Sequence, residues 1–356
     1  MSDDDVATIV VGDAPSAPPD WDERAVSVPG GHVMQSSVWA AYRETRGDVP
    51  HFLALDDGSV AVAMLRRSPL LPGVEATVRR GPAHRDGPGT SGAARAKALA
   101  DWALEQRARD LFLDPERPAD DAFEAAMDAA GFDRADELEP SIHVMRLDFD
   151  AGADEEALFA GLSKSTRQRV KAAERDGTVV IDDRGGDRLE GFLALMRERA
   201  AALAIPLQEG SDYLRGWKAL LDAGLARLLV ADHQGELVGG LFLFRQGGIH
   251  ATAYSADKAS RRRELPGTMH LVRWTAIRDA LTEGVPAIEL GGVDLPRHRR
   301  PPQKGAPNRG LYEHKRGFGA RWVERSAARR IVLRPGLERL ARVRRRSIDS
   351  LRRMRR

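Results

Sequence analysis

The sequence predicts an α/β (α+β) protein of two related lobes. Three observations lead there. The chain has 356 residues, about two domains' worth at roughly 150 residues each. Strand-like and helix-like segments follow one another in a similar order in residues 21–149 and again in residues 150–320, the pattern of sheets covered by helices. Apolar residues make up 42% and charged residues 30%, a globular profile.

Other bounds are set by composition. There is no cysteine, so disulfide and thiolate chemistry are excluded. No apolar run is long enough to span a bilayer, and the start, Met1-Ser2-Asp3-Asp4-Asp5, is acidic, unlike a secretory leader. A cytoplasmic location is expected. Nine Arg against Glu338 and Asp349 give residues 337–356 a net charge of +7, so a chain of net +2 is acidic everywhere else taken together. The basic surplus is therefore local.

Taken in order, residues 1–20 are acidic and Pro-rich and read as a disordered extension, with a candidate short strand at Thr8-Ile9-Val10-Val11. Ser36 or Ser37 caps a helix running to about Thr45. Residues 51–55 and 59–65 flank Asp56-Asp57-Gly58 as strand, turn, strand. Residues 74–80 form a strand ended by Gly81-Pro82, 91–109 a helix, 110–114 a strand, 120–130 a helix stopped by Gly131, and 141–149 a strand. In the second half, Ser163 caps a helix over 164–175, with Gly177 as its stop. A strand over 179–181 and helices over 187–204 and 212–223 follow, then a hairpin, 226–231 with 236–244, about His233-Gln234-Gly235. Next come a strand over 248–256, a helix over 266–282 closed by Gly284, and strands over 286–290 and 330–333.

Residues 286–320 organise the whole. A short strand ends at Gly291-Gly292, where glycines let a ligand approach the backbone. Tyr312, His314 and Lys315 then fall between glycines and read as a titratable cluster in a turn.

Several of these stretches resemble the Fem family, aminoacyl-tRNA-dependent peptidyltransferases that build peptidoglycan cross-bridges. In the second half the matching residues are Leu162 to Arg167, Lys171 to Gly177, Tyr254-Ser255-Ala256, Pro266, Trp274, Ile288 to Gly292, and Gly310-Leu311-Tyr312 with Lys315 and Phe318. In the first half they are Gln35, Trp39 and Arg80-Gly81-Pro82. The resemblance spans residues 30–335. It implies two lobes like GNAT acyltransferases, with a strand near 321–335 returning to the first lobe. No segment could form the coiled-coil arm that some members carry.

The resemblance also implies roles. Lys315 matches the lysine that stabilises the tetrahedral oxyanion of aminoacyl transfer, work suited to a fixed cation in a water-poor site. Gly291, Gly292, Tyr254 and Tyr312 would line the cleft, with Asp294 nearby. Arg43 and Tyr213 would meet the acceptor, a muropeptide or lipid-linked peptidoglycan precursor. The family's phosphate-binding arginine before Tyr213 is replaced here by Gln208. Lys164, Arg167 and Lys171 recur on one helical face and would meet tRNA or phosphate. His314 reads as a partly exposed loop histidine. A helix starting near Pro266 is where a GNAT enzyme holds a pyrophosphate, but Gly267 is the only glycine there and Pro266 lacks a donor. The nine histidines show no metal-ligand spacing. No cofactor is expected beyond aminoacyl-tRNA as co-substrate.

In the tail, Leu337, Leu340, Val343, Ile348, Leu351 and Met354 fall within an arc of about 140° at the helical period. Residues 336–356 therefore read as a basic amphipathic helix for the inner membrane surface or for RNA. The function expected is aminoacyl transfer from tRNA to a stem-peptide amine. Its rivals are an acyl-CoA-dependent N-acyltransferase and a non-catalytic GNAT-like module.

Overall fold

The computed structural model describes residues 9–84, 92–137, 143–202, 212–293 and 299–354. The chain forms two compact units, residues 1–138 with 325–356, and residues 139–324. In chain order the first unit opens with β1 (Val11–Ala14), α1 (Ser37–Glu44), β2 (Asp48–Leu55), β3 (Val60–Arg67), β4 (Val74–Arg79), α2 (Gly92–Glu105), β5 (Ala108–Asp114), α3 (Asp121–Ala129) and β6 (Asp133–Arg134). The second unit holds β7 (Val144–Asp148), α4 (Glu155–Gly161), α5 (Lys164–Arg175), β8 (Thr178–Asp182), α6 (Leu189–Ala202), α7 (Asp212–Asp222), β9 (Ala226–His233), β10 (Glu236–Gln246), β11 (Ile249–Asp257), α8 (Thr268–Thr282), β12 (Ala287–Glu289), α9 (Arg309–Arg316) and β13 (Arg321–Val323). The chain then returns to the first unit with β14 (Arg329–Val332) and α10 (Pro335–Met354).

Each unit carries a seven-stranded sheet, ordered β1-β2-β3-β4-β5-β14-β6 and β13-β7-β12-β11-β10-β9-β8. Both have the same plan. A run of four antiparallel strands ends in one parallel step, β4 with β5 and β11 with β12, and antiparallel strands close the far side. Local chemistry explains the elements. Ser163 Oγ accepts the Thr166 N–H to start α5, and Asp120 does the same for α3. Gln234 and Gly235 both take positive φ, as a two-residue turn between β9 and β10 requires. In the first unit Gln35 bridges strands, accepting the Val62 N–H at 2.7 Å and donating to the Arg79 carbonyl. A side chain at Gly81 would lie 2.7 Å from that amide, which accounts for the glycine.

The structure corrects three expectations. Residues 1–20 are not all a loose extension: Val11–Ala14 pairs with the free edge of β2, and Asp13 holds His51 and the Trp102 indole N–H. The strand expected to end the first lobe, β7, belongs to the second sheet, where it lies between β12 and β13. As expected, a strand near 321–335 returns to the first lobe: Arg329–Val332 lies between β5 and β6, while Arg321–Val323 stays with the second sheet. The helix expected over 91–109 stops at Glu105 because Arg107 turns left-handed, with φ of 60°, freeing Ala108 onward to pair with β4.

In the second unit α5 and α8 cover one face through Val170, Ala173, Val272 and Ile277. The other face carries Trp217 of α7 against Phe242, with Phe192 of α6 beside Trp217. Gly267 lets α5 and α8 approach: a Cβ there would lie 2.2 Å from the Arg169 carbonyl oxygen. Gly267→Ala should therefore destabilise the protein by about 1–3 kcal/mol through overpacking. Gly161→Ala, where a Cβ meets nothing within 4 Å, should be neutral in the same urea titration. Equal stability of the two variants would refute the close-packing role.

Candidate functional site

The second unit's parallel step is short. β11 pairs with β12 only at His250 with Ile288 and Ala251 with Glu289. Beyond that β12 is drawn toward β7, since Leu290 N donates to the Met145 carbonyl at 2.7 Å and Met145 N to the Gly291 carbonyl at 3.1 Å. The two strands diverge there. Gly291 takes φ of +77°, and a Cβ on it would lie 3.0 Å from the Thr252 carbonyl oxygen and 3.4 Å from Lys315 Nζ. No other residue fits that position without strain.

Lys315 enters this divergence from α9. Residues 309–316 form a helix, not the turn expected from the flanking glycines, because Leu311 and Tyr312, with Phe318 just past its end, pack on the second unit's core. Lys315 is on the same side, 3% exposed, and its Nζ donates to the Gly292 carbonyl at 2.7 Å. Lys315, Gly291 and Gly292 thus come together. Asp294 lies outside the described residues.

Next to α9 is a cavity of about 480 Å³ formed by the outer half of β11, the start of α8, the end of α6, and residues of α5 and α9. Its cations are Arg169, Arg199, Arg262 and Arg273, against the carboxylates Glu198 and Asp257. Arg262 occupies Asp257 with two hydrogen bonds, at 2.6 and 2.8 Å. Arg273 is 3% exposed and donates to neutral groups, to His314 Nε2 at 3.1 Å and to Ser255 Oγ at 3.3 Å. Burial, then repulsion from Arg199, pushes its pKa down to about 10, so it remains charged at neutral pH. Burial lowers Arg199 too. A cavity with this surplus of half-desolvated guanidinium groups suits a phosphate or carboxylate ligand.

His314 is no loose loop histidine. A guanidinium only donates, so His314 Nε2 accepts from Arg273 and its proton sits on Nδ1. That N–H points to His270 Nε2 at 3.1 Å, with ring centroids 4.3 Å apart. Both imidazoles are therefore neutral and fixed in tautomer. Burial and then the nearby arginines lower His270 to about 4, and burial and then Arg273 push His314 down further.

The remaining expected residues are distributed elsewhere. Tyr213 and Tyr254 meet each other, centroids 6.3 Å apart, in an aromatic cluster with Trp217 and Phe242. Tyr312 stacks under the Arg309 guanidinium. Lys164 and Lys171 are exposed on α5, and Lys171 lies over the Phe159 ring. Arg167 instead binds the carbonyls of Ala160 and Leu162 at the end of α4. In the first unit Arg43 is paired with the buried Asp48 at 2.5 Å. Gln208 lies outside the described residues. Arg169, Arg199 and Arg273 were missed from the sequence. The available signal was Arg273 itself, a charge inside the apolar run Leu271-Val272-Arg273-Trp274.

Residues 161–316 match the acetyltransferase (GNAT) domain family. No curated protein sequence matches the chain. Among solved structures FemX superposes with a TM-score of 0.75 at 20% identity, over 92% of this chain and 99% of that one. A conserved protein of unknown function from Bacteroides thetaiotaomicron gives 0.55 at 11% identity, over 90% and 98%. The C-terminal domain of an Agrobacterium fabrum protein described as a lysylphosphatidylglycerol synthetase gives 0.52 at 15%, over 86% and 90%.

The histidine pair makes a pH prediction. A pKa lowered from 6.5 to about 4 for His270 means that its stabilising effect is complete above pH 6.5 and is lost as pH falls toward 4, on the order of 2 kcal/mol by pH 5. The unfolding midpoint should fall between pH 7 and pH 5. His270→Gln, which keeps an acceptor for His314, should reduce that dependence; an unchanged slope would rule His270 out as a source. From the shared sheet plan, the matched domain and the superposition, the chain has a Fem-type fold built of two GNAT-like units.

Proposed function

We propose that this protein is an aminoacyltransferase that moves an amino acid from aminoacyl-tRNA to the stem-peptide amine of a peptidoglycan precursor. The observation that carries the reading is Lys315: a buried ammonium held by the Gly292 carbonyl where β11 and β12 diverge. In the reaction the acceptor nitrogen bonds to the ester carbonyl carbon, giving a tetrahedral oxyanion. The carbon–oxygen bond to the ribose then breaks, the ribose oxygen gains a proton and the amine loses one. The ester is already activated, so no covalent nucleophile is needed. The step to be accelerated is charge development on the carbonyl oxygen, and a preorganised cation in a dry site does that.

The cavity beside α9 supplies the donor's phosphate contacts in this reading, through Arg169, Arg199 and Arg273. Likeness to FemX supports the choice of a cell-wall acceptor. The neighbour described as a lysylphosphatidylglycerol synthetase is, by its name, a maker of an aminoacylated product on a related fold. A second reading, acyl-CoA as donor, is favoured by the GNAT domain match. Against it, Gly267 owes its missing side chain to the α5 contact, so the start of α8 is not a glycine-built pyrophosphate cradle.

The test is to incubate the protein with a mixed pool of charged tRNAs and with soluble or lipid-linked muropeptides, and to weigh the products. A mass increase of one aminoacyl residue on the acceptor is expected. Lys315→Ala should lower turnover by about 10²–10³ with an unaltered circular-dichroism spectrum. Undiminished turnover would remove Lys315 from the chemistry. Donor binding should also weaken steeply with salt through counterion release, and Arg273→Gln should reduce the slope. Tight binding of CoA with little salt dependence would favour the second reading.

A further inference from the structure

The final helix is attached to the first unit by charge. Glu338, 3% exposed, forms ion pairs with Arg109 at 3.1 Å and Arg330 at 3.0 Å. Ala341 is fully buried, and Arg345 reaches Glu75 at 2.9 Å. Positions 338, 341 and 345 are three and four residues apart, so they mark the inward face of α10. Leu337 also turns inward, 3.3 Å from where a Gly73 Cβ would lie. The apolar arc expected from the sequence is therefore divided: its first member turns inward, and the next two are exposed.

Those two, Leu340 and Val343, are 46% and 61% exposed. Arg339, Arg342 and Arg344 beside them are exposed as well. The helical backbone continues to Met354, along a segment of net charge +7. No helix among the described residues is long and apolar enough to cross a membrane, so any lipid contact of α10 would run along a surface. RNA phosphates would use the arginines but leave the two aliphatic side chains in water. A bilayer with anionic head groups takes both kinds of group at once.

We propose that α10 docks this protein on an anionic lipid surface, with Leu340 and Val343 among the acyl chains and Arg339, Arg342 and Arg344 among the head groups. The Glu338 clasp gives the helix a fixed seat on the first unit, so docking orients that unit as well as tethering the protein. Docking stands apart from the chemistry proposed above. That it delivers the enzyme to a lipid-linked acceptor is a consequence that rests on that reading.

The experiment is co-sedimentation of the full chain with vesicles of phosphatidylcholine alone and of phosphatidylcholine with phosphatidylglycerol. Binding is expected only to the anionic vesicles and should weaken as salt rises. Leu340→Asp with Val343→Asp, and separately Arg339→Glu with Arg344→Glu, should each lower vesicle affinity at least about tenfold. All four positions are exposed, so unfolding midpoints should stay at the wild-type value and activity on a soluble acceptor should be unchanged. No sedimentation with anionic vesicles would overturn the proposal. So would full vesicle binding by the Leu340/Val343 variant. A single-stranded RNA titration supplies the remaining arm: tight RNA binding that only the arginine variant loses, without vesicle binding, would assign the helix to RNA instead.

Discussion

A lysine ammonium at 3% exposure is costly to bury unless its donors are met. The hydrogen bond from Lys315 Nζ to the Gly292 carbonyl meets that need in part, and much of the second unit is arranged to make it possible. The carbonyl is available because the chain after β12 follows β7 through Leu290 and Gly291 instead of continuing beside β11. Gly291 has no side chain because the Thr252 carbonyl and Lys315 occupy the space. The lysine arrives at the right height because α9 is a helix with its apolar face on the core. Strand divergence, glycine and helix are three parts of one constraint, a cation held where two strands separate.

The cavity next to it obeys a complementary rule. Burying Arg273 beside neutral histidine and serine leaves its charge poorly compensated within the protein. Asp257 offsets part of that charge, and a ligand of opposite sign would offset more of the cost of burying it. The His314–His270 pair sets the geometry: its hydrogen-bond direction is dictated by the guanidinium, so Arg273, His314 and His270 behave as one unit. His314 is also the residue before Lys315, which links the state of this unit to the helix that carries the lysine.

Much of the fold was readable before any coordinates because local signals agreed with one another. The Ser163 and Asp120 caps, the Gln234-Gly235 turn and the Gly291-Gly292 stop are each decided within a few residues. What was misread depends on distant partners. Residues 309–316 are only eight residues with a glycine among them, too short to hold a helix alone, and their helix is stabilised by packing that no short window contains. The strand Val144–Asp148 looks the same whichever sheet it joins; its partners lie more than a hundred residues away in sequence. In the site, Lys315 and the glycine pair were identifiable from a motif. The arginine and histidine cluster was not, since Arg169, Arg199, Arg273 and His314 come from four different helices and only the fold brings them to one cavity.

The central claim concerns where a substrate carbonyl sits. It is tested most directly by a crystal structure with a stable 3′-aminoacylamide analogue of the charged tRNA end. The account predicts the aminoacyl carbonyl oxygen within hydrogen-bond distance of Lys315 Nζ, at the divergence of β11 and β12, with the analogue's phosphate against Arg273 or Arg199. An analogue bound with its carbonyl turned away from Lys315, or seated elsewhere on the second unit, would contradict it.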